Sequence, residues 1–134
     1  MLRFAMEKLQ AWKEKKDRKP LIIMGARQVG KTWLMKEFGE TCYEKVAYIS
    51  FYNNKRMDDV FQVDFDIQRI IMNLNIESGV TITPGDTLII LDEIQDTPKV
   101  LESLKYFCEE APEYHVIAAG SLLGVAIHEG VSYP

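Results

Sequence analysis

The sequence lacks any apolar run near the ~20 residues that a membrane-spanning helix needs. Its first residues also lack the charged, apolar and small-residue segments of a secretory signal. Neither a membrane protein nor an exported one is expected. Cysteine is scarce: Cys42 and Cys108 have no zinc-type spacing, and the simplest account is a cytoplasmic protein with two buried thiols. His115 and His128 show no ligand spacing either and read as structural or surface residues. Repeats, low-complexity segments and evident linkers are missing. Excess positive charge is missing too, since the net charge is −4, which argues against a broad nucleic-acid footprint. The exception is residues 1–19, with seven Lys/Arg against three Asp/Glu, a local +4 against −8 for the rest. That segment is either the solvated face of a surface helix or a contact for nucleic acid or an acidic partner.

What is present fits one globular domain. The chain has 134 residues, 47% of them hydrophobic and 27% charged, enough for one core and not for two. Its organising stretch is 20–32, P-L-I-I-M-G-A-R-Q-V-G-K-T. Residues 21–24 form a short apolar run suited to a buried parallel strand, and 25–32 match the phosphate-binding loop G-x-x-x-x-G-K-[ST]. The glycines let backbone N–H groups approach phosphate oxygens, and the following helix aims its unsatisfied N–H groups and positive dipole end at the same anion. Lys31 is placed to reach the β- and γ-phosphates and the Thr32 hydroxyl to bind Mg²⁺. Gly25, Ala26, Arg27, Gln28, Val29, Gly30, Lys31 and Thr32, with Trp33 just beyond, are the candidate nucleotide contacts. Arg27 and Gln28, at the loop's tip, face a partner, the nucleotide or solvent.

Around this loop, strands and helices alternate. Leu2, Met6, Leu9 and Trp12 share one face of an amphipathic helix over 2–16, with Trp12 read as core rather than as a platform near the nucleotide base. Residues 32–37 predict a helix, nearly apolar all round and so buried against a sheet, with Gly39 marking its end. Residues 45–51 read as a strand and 52–54 as its loop. Ile67, Ile70, Ile71 and Leu74 define a helix over 66–73, with Asp64 or Asp66 to cap it. Thr83-Pro84-Gly85-Asp86 reads as a type II turn. Residues 87–91 are a strand apolar enough to be buried on both faces. Thr97 and Pro98 look like the cap and first residue of a helix ending near Glu110, with Val100, Leu101, Leu104, Phe107 and Cys108 on one face. A strand over 114–119 leads to Gly120 and Ser121, and 122–134 is a short helix or loop. Between the two motif strands there is room for one strand and two helices. The alternation predicts an α/β fold, a mainly parallel sheet with helices on both faces, and ligands at the carboxyl ends of its strands. The phosphate loop, Asp92, Glu93 and Ser121 all fall at such ends.

The strand ending in Asp92 supplies the second half of the site. Asp92 would hold Mg²⁺ beside Thr32, directly or through water. A carboxylate at Glu93 can polarise the water that attacks a γ-phosphate. Nucleotide kinases need no such base, and GTP switches continue Asp-x-x-Gly, whereas here Ile94 and Gln95 follow. The guanine signature N-K-x-D is also absent. ATP hydrolysis is thus favoured. Ser121 contacts the γ-phosphate or the attacking water, or is simply a loop serine. Gln95 either contacts that water or couples to a neighbouring element.

The combination of G-A-R-Q-V-G-K-T at 25–32, L-I-I-L-D-E-I-Q at 88–95, L-K-Y-F at 104–107 and Y-H-V-I-A-A-G-S-L-L-G at 114–124 resembles a prokaryotic family of AAA-type P-loop ATPases over its N-terminal part. The resemblance implies a three-layer core with sheet order 5-1-4-3-2, Walker A at 25–32, Walker B at 88–93 and a sensor strand at 114–121. It implies ATP and Mg²⁺ as cofactors, with Lys31, Glu93 and Ser121 catalytic and Thr32 and Asp92 on the metal. It further implies that residues 1–134 are a partial, truncated AAA domain, with four of five core strands and no lid. A sensor arginine, a C-terminal domain and a neighbouring subunit's arginine finger would lie outside it. Self-association, through such subunits or an unprotected sheet edge, follows as an expectation. The alternatives to Mg²⁺-dependent hydrolysis are a non-hydrolysing nucleotide switch and a nucleic-acid-stimulated helicase or transposition helper.

Overall fold

In a computed structural model of the chain, residues 2–25 and 30–121 are described. Their order is α1 (Leu2–Glu14), β1 (Leu21–Gly25), α2 (Lys31–Cys42), β2 (Lys45–Ser50), α3 (Lys55–Val63), α4 (Ile67–Ser78), β3 (Thr87–Asp92), α5 (Pro98–Glu110) and β4 (His115–Ser121). The reading of 122–134, His128 included, lies outside the described residues.

The four strands form one sheet in the order β1-β4-β3-β2, every pair parallel. This is the 1-4-3-2 part of the implied order, and it sets the strand ending in Ser121 between the two motif strands. Alternation along β3 explains its unbroken apolarity. Leu88 and Ile90 pack with Ile117, Ala119, Met35, Phe38, Leu9 and Trp12 under α1 and α2. Ile89 and Leu91 point the other way, into a larger cluster with Phe61, Ile70, Leu74, Leu104 and Phe107 from α3, α4 and α5. Helices therefore cover both faces, and every residue of β3 is buried.

Several local expectations are corrected by packing. The helix α3 was not foreseen, although Met57, Val60 and Phe61 at i, i+3 and i+4 give its nine residues one apolar face, with Met57 and Phe61 buried. Asn54 caps it, accepting from the Met57 N–H. Asp66 and Thr97 occupy cap positions but make no side-chain cap bond; Thr97 Oγ1 instead donates to Ile94 O at 3.0 Å. The thiols of Cys42 and Cys108 are free but half-buried rather than buried. Trp33 is 54% exposed, so α2 is one-sided rather than apolar all round.

Gly39 does not end α2, which runs on to Cys42. It is buried where the helix lies closest to the sheet. A Cβ there would sit 2.5 Å from Val46 Cγ2 and 3.2 Å from Leu88 Cδ2. Alanine favours a helix by about 1 kcal/mol over glycine, but overpacking costs about 1–3 kcal/mol. Gly39→Ala is thus expected to lower the urea midpoint despite its better helix propensity.

At the amino ends of the strands, Trp12 packs edge-on to His115 with ring centroids 6.0 Å apart, and its indole N–H donates to Lys19 O at 2.7 Å. This end of β4 is opposite Ser121, so Trp12 is core and stands away from the site. The basic segment is partly used internally: Lys13 Nζ donates to Cys42 O, at the negative end of α2. His115 Nδ1 and the Tyr43 hydroxyl are 2.6 Å apart. Burial, reinforced by Arg18 and Lys13, pushes the His115 pKa down to about 4, from 6.5. The unfolded chain then takes up a proton near pH 6.5 that the folded chain refuses until about pH 4. The His115 contribution is fully present above pH 6.5 and is lost between 6.5 and 4, by an amount on the order of 2 kcal/mol. His115→Gln is expected to flatten that part of the stability–pH curve relative to the parent protein, as measured by urea unfolding at stepped pH.

Candidate functional site

The carboxyl ends of β1, β4 and β3 meet the amino end of α2. Gly30 precedes α2 at φ 107°, a left-handed conformation that favours glycine, and it offers no capping side chain. Gly30 thus leaves the first-turn N–H groups of α2 without a cap from its own side chain, a feature that suits an anion site. Gly25 ends β1 opposite Ser121. Ala26, Arg27, Gln28 and Val29 lie outside the described residues.

Lys31 opens α2 and crosses to β4, where its Nζ donates to Gly120 O at 2.9 Å. The next residue reaches the second motif: Thr32 Oγ1 donates to Asp92 Oδ2 at 2.7 Å. Asp92 is 1% exposed. A buried carboxylate is costly unless hydrogen-bonded, and its oxygens accept from Thr32, from the Tyr48 hydroxyl at 2.7 Å and from the Glu93 N–H at 2.8 Å. The hydroxyl and carboxylate oxygens converging here are hard donors of the kind Mg²⁺ prefers. Among the described residues, no group of three or more His, Cys, Asp or Glu is arranged to hold a metal.

Glu93 leaves β3 at φ 58°, a left-handed conformation uncommon outside glycine. The turn carries its half-buried side chain to an open groove of about 420 Å³ that Tyr52, Asn53, Asp58 and Asp96 also line, so water has access to it. Beyond it, Ile94 N donates to Ala119 O, holding the loop against β4. Gln95 couples to a neighbouring element, the second of its two expected roles. Its Nε2 donates to Glu93 Oε1 at 2.9 Å, and its Oε1 accepts from Ser121 N at 3.0 Å. Ser121 ends β4 between the two motif strands. Lys31, Thr32, Asp92, Glu93 and Ser121 thus gather at one end of the sheet, with Trp33 exposed beside them.

Tyr48 was missed by sequence reasoning. It sits in mid-strand opposite Ile90, and only the β2–β3 register brings its hydroxyl to Asp92. An aromatic residue with a polar tip between the aliphatic Val46, Ala47 and Ile49 was the available signal. Burial first, then the Asp92 hydrogen bond, raise the Tyr48 pKa, and Lys36 Nζ lies 4.1 Å from the ring centroid.

Four parallel strands between two helical layers, with a Gly-Lys-Thr helix start facing a strand-end aspartate, define a P-loop NTPase core. A family profile described as an AAA domain matches residues 17–133, and the chain belongs to that family of AAA-type P-loop ATPases. A nucleotide-binding, ATPase-like function goes with this membership. No curated protein matches the chain. Among the described residues, no helix is long and apolar enough to cross a membrane.

Tyr48→Phe removes one of the donors to Asp92 while leaving the ring in place. A loss of about 1–2 kcal/mol of unfolding free energy with unchanged circular dichroism is expected.

Proposed function

We propose that the chain binds ATP with Mg²⁺ and hydrolyses it at the β- to γ-phosphate bond. The observation that carries this reading is the 2.7 Å contact between Thr32 and Asp92, with Glu93 immediately beyond, because it joins the two halves of a phosphate and metal site. Residues 25–32 would wrap the phosphates through their N–H groups, and Lys31 would exchange Gly120 O for phosphate oxygens. Thr32 and Asp92 would hold the metal, whose charge offsets that of the phosphate oxygens. Glu93 would accept the proton of the attacking water from the groove side. Ser121 would sense the γ-phosphate from the end of β4, and Trp33 would border the bound nucleotide. The free thiols of Cys42 and Cys108 agree with a reducing, cytoplasmic setting.

Glu93→Gln keeps the side chain's shape and removes its basicity. It is expected to bind ATP and Mg²⁺ as the parent chain does in calorimetry, with turnover reduced about 10²–10⁴-fold. Lys31→Ala should lose binding. Equal turnover in the parent and the Glu93 variant would overturn Glu93 as the base, and a parent that binds ATP without turning it over would leave a nucleotide-gated switch.

A further inference from the structure

We propose that Gln95 is the positioning residue of Glu93, anchored through the single peptide group between Gly120 and Ser121 and tied by that peptide to Lys31. The proposal rests on Glu93 acting as the base. Three hydrogen bonds carry it. Lys31 Nζ donates to Gly120 O at 2.9 Å. The Ser121 N–H, on the other side of that same peptide plane, donates to Gln95 Oε1 at 3.0 Å. Gln95 Nε2 donates to Glu93 Oε1 at 2.9 Å. The bonds run head to tail, from ammonium through peptide and primary amide to carboxylate. A positive charge at one end and a negative one at the other polarise every group between them in the same sense, so each bond strengthens its neighbours.

The geometry around this chain excludes simpler arrangements. Glu93 projects from a loop at φ 58° into an open groove, where a glutamate without a partner would sample several rotamers. Gln95 fixes one of its oxygens and leaves Oε2 to accept a proton. Glycine at 120 gives Gln95 room to lie across β4: a Cβ there would come 2.9 Å from Gln95 Oε1 and 3.2 Å from Gln95 N, so one or both would have to shift. In the nucleotide-free chain the end of β4 thus holds Lys31 on its carbonyl side and the base through its N–H side, and on nucleotide binding the N–H side alone keeps hold of the base. A role limited to stitching the loop to β4 would need only the Ser121–Gln95 bond, and any isosteric side chain that accepts it would serve.

Gln95→Leu removes both side-chain bonds. Gln95→Glu keeps the shape and an acceptor for Ser121 N but replaces the donor to Glu93 with a like charge. In variants that keep the parent's melting temperature, both changes are expected to lower kcat about 10–100-fold, with KM and calorimetric ATP affinity close to the parent's. Parent-like kcat in the folded Gln95→Glu protein would overturn the positioning role and leave the stitching one. A second measurement needs no turnover. In ¹⁵N NMR of the nucleotide-free chain, Lys31→Met is expected to shift the Ser121 amide and the Gln95 side-chain amide, the latter identified by its loss in Gln95→Leu. Unmoved signals would overturn the chain of bonds. A parent protein without ATP turnover would sink the hydrolysis reading and the positioning role together, whereas normal parent turnover with indifferent Gln95 variants sinks the positioning role alone.

Discussion

A single buried carboxylate constrains much of this structure. Asp92 ends a strand covered on both faces, where an unpaired charge would cost several kcal/mol. Its donors come from separate elements: Thr32 from α2, Tyr48 from β2 and the Glu93 N–H from the turn that follows. Satisfying one side chain therefore ties the seat of α2 to the register of β2 against β3. The turn after β3 belongs to the same solution: the Glu93 N–H donates to Asp92 Oδ1, and the left-handed φ of Glu93 turns its own carboxylate toward the groove. Structural and chemical demands coincide here, since the oxygens that keep Asp92 buried at low cost are also those suited to a hard cation.

Close approach is the second constraint, and small residues supply it at two places. Gly39 lets α2 rest against Val46 and Leu88. At the end of β4, the run Ala118, Ala119 and Gly120 leaves space for the loop after β3 to run alongside, with Ile94 on the carbonyl of Ala119 and Gln95 on the amide of Ser121. Lys31 reaches the same strand end from the other side. The two halves of the site thus share a strand that belongs to neither motif.

Much of the architecture was legible in the sequence because its signals were local. The apolar runs at 21–24 and 87–91, the Pro84-Gly85 turn and the 3.6-residue spacing of Ile67, Ile70, Ile71 and Leu74 each report their own secondary structure. Gly85 does adopt the positive φ, 80°, that its turn requires. The helix at 55–63 escaped notice because its apolar face is a single short set, Met57, Val60 and Phe61, within nine residues that are otherwise mostly charged or polar. Gly39 was misread as a helix end because a packing glycine and a capping glycine look alike without the facing strand. Tyr48 carried no motif, so its approach to Asp92 was invisible until the strand register was known.

By itself the sequence determined the alternation of strands and helices, the match of 25–32 to a phosphate-loop pattern and the placing of Lys31, Thr32, Asp92 and Glu93 at the ends of strands or the start of a helix. These follow from short-range chemistry: which residues favour a strand, a turn or an anion-binding helix start. The tertiary structure alone decided which groups touch. The link between Lys31 and Glu93 passes through residues 120 and 95, far apart in the chain, and exists because β4 lies between β1 and β3. Strand order and register are settled by burying two apolar faces at once, a balance over the whole domain that no local stretch encodes.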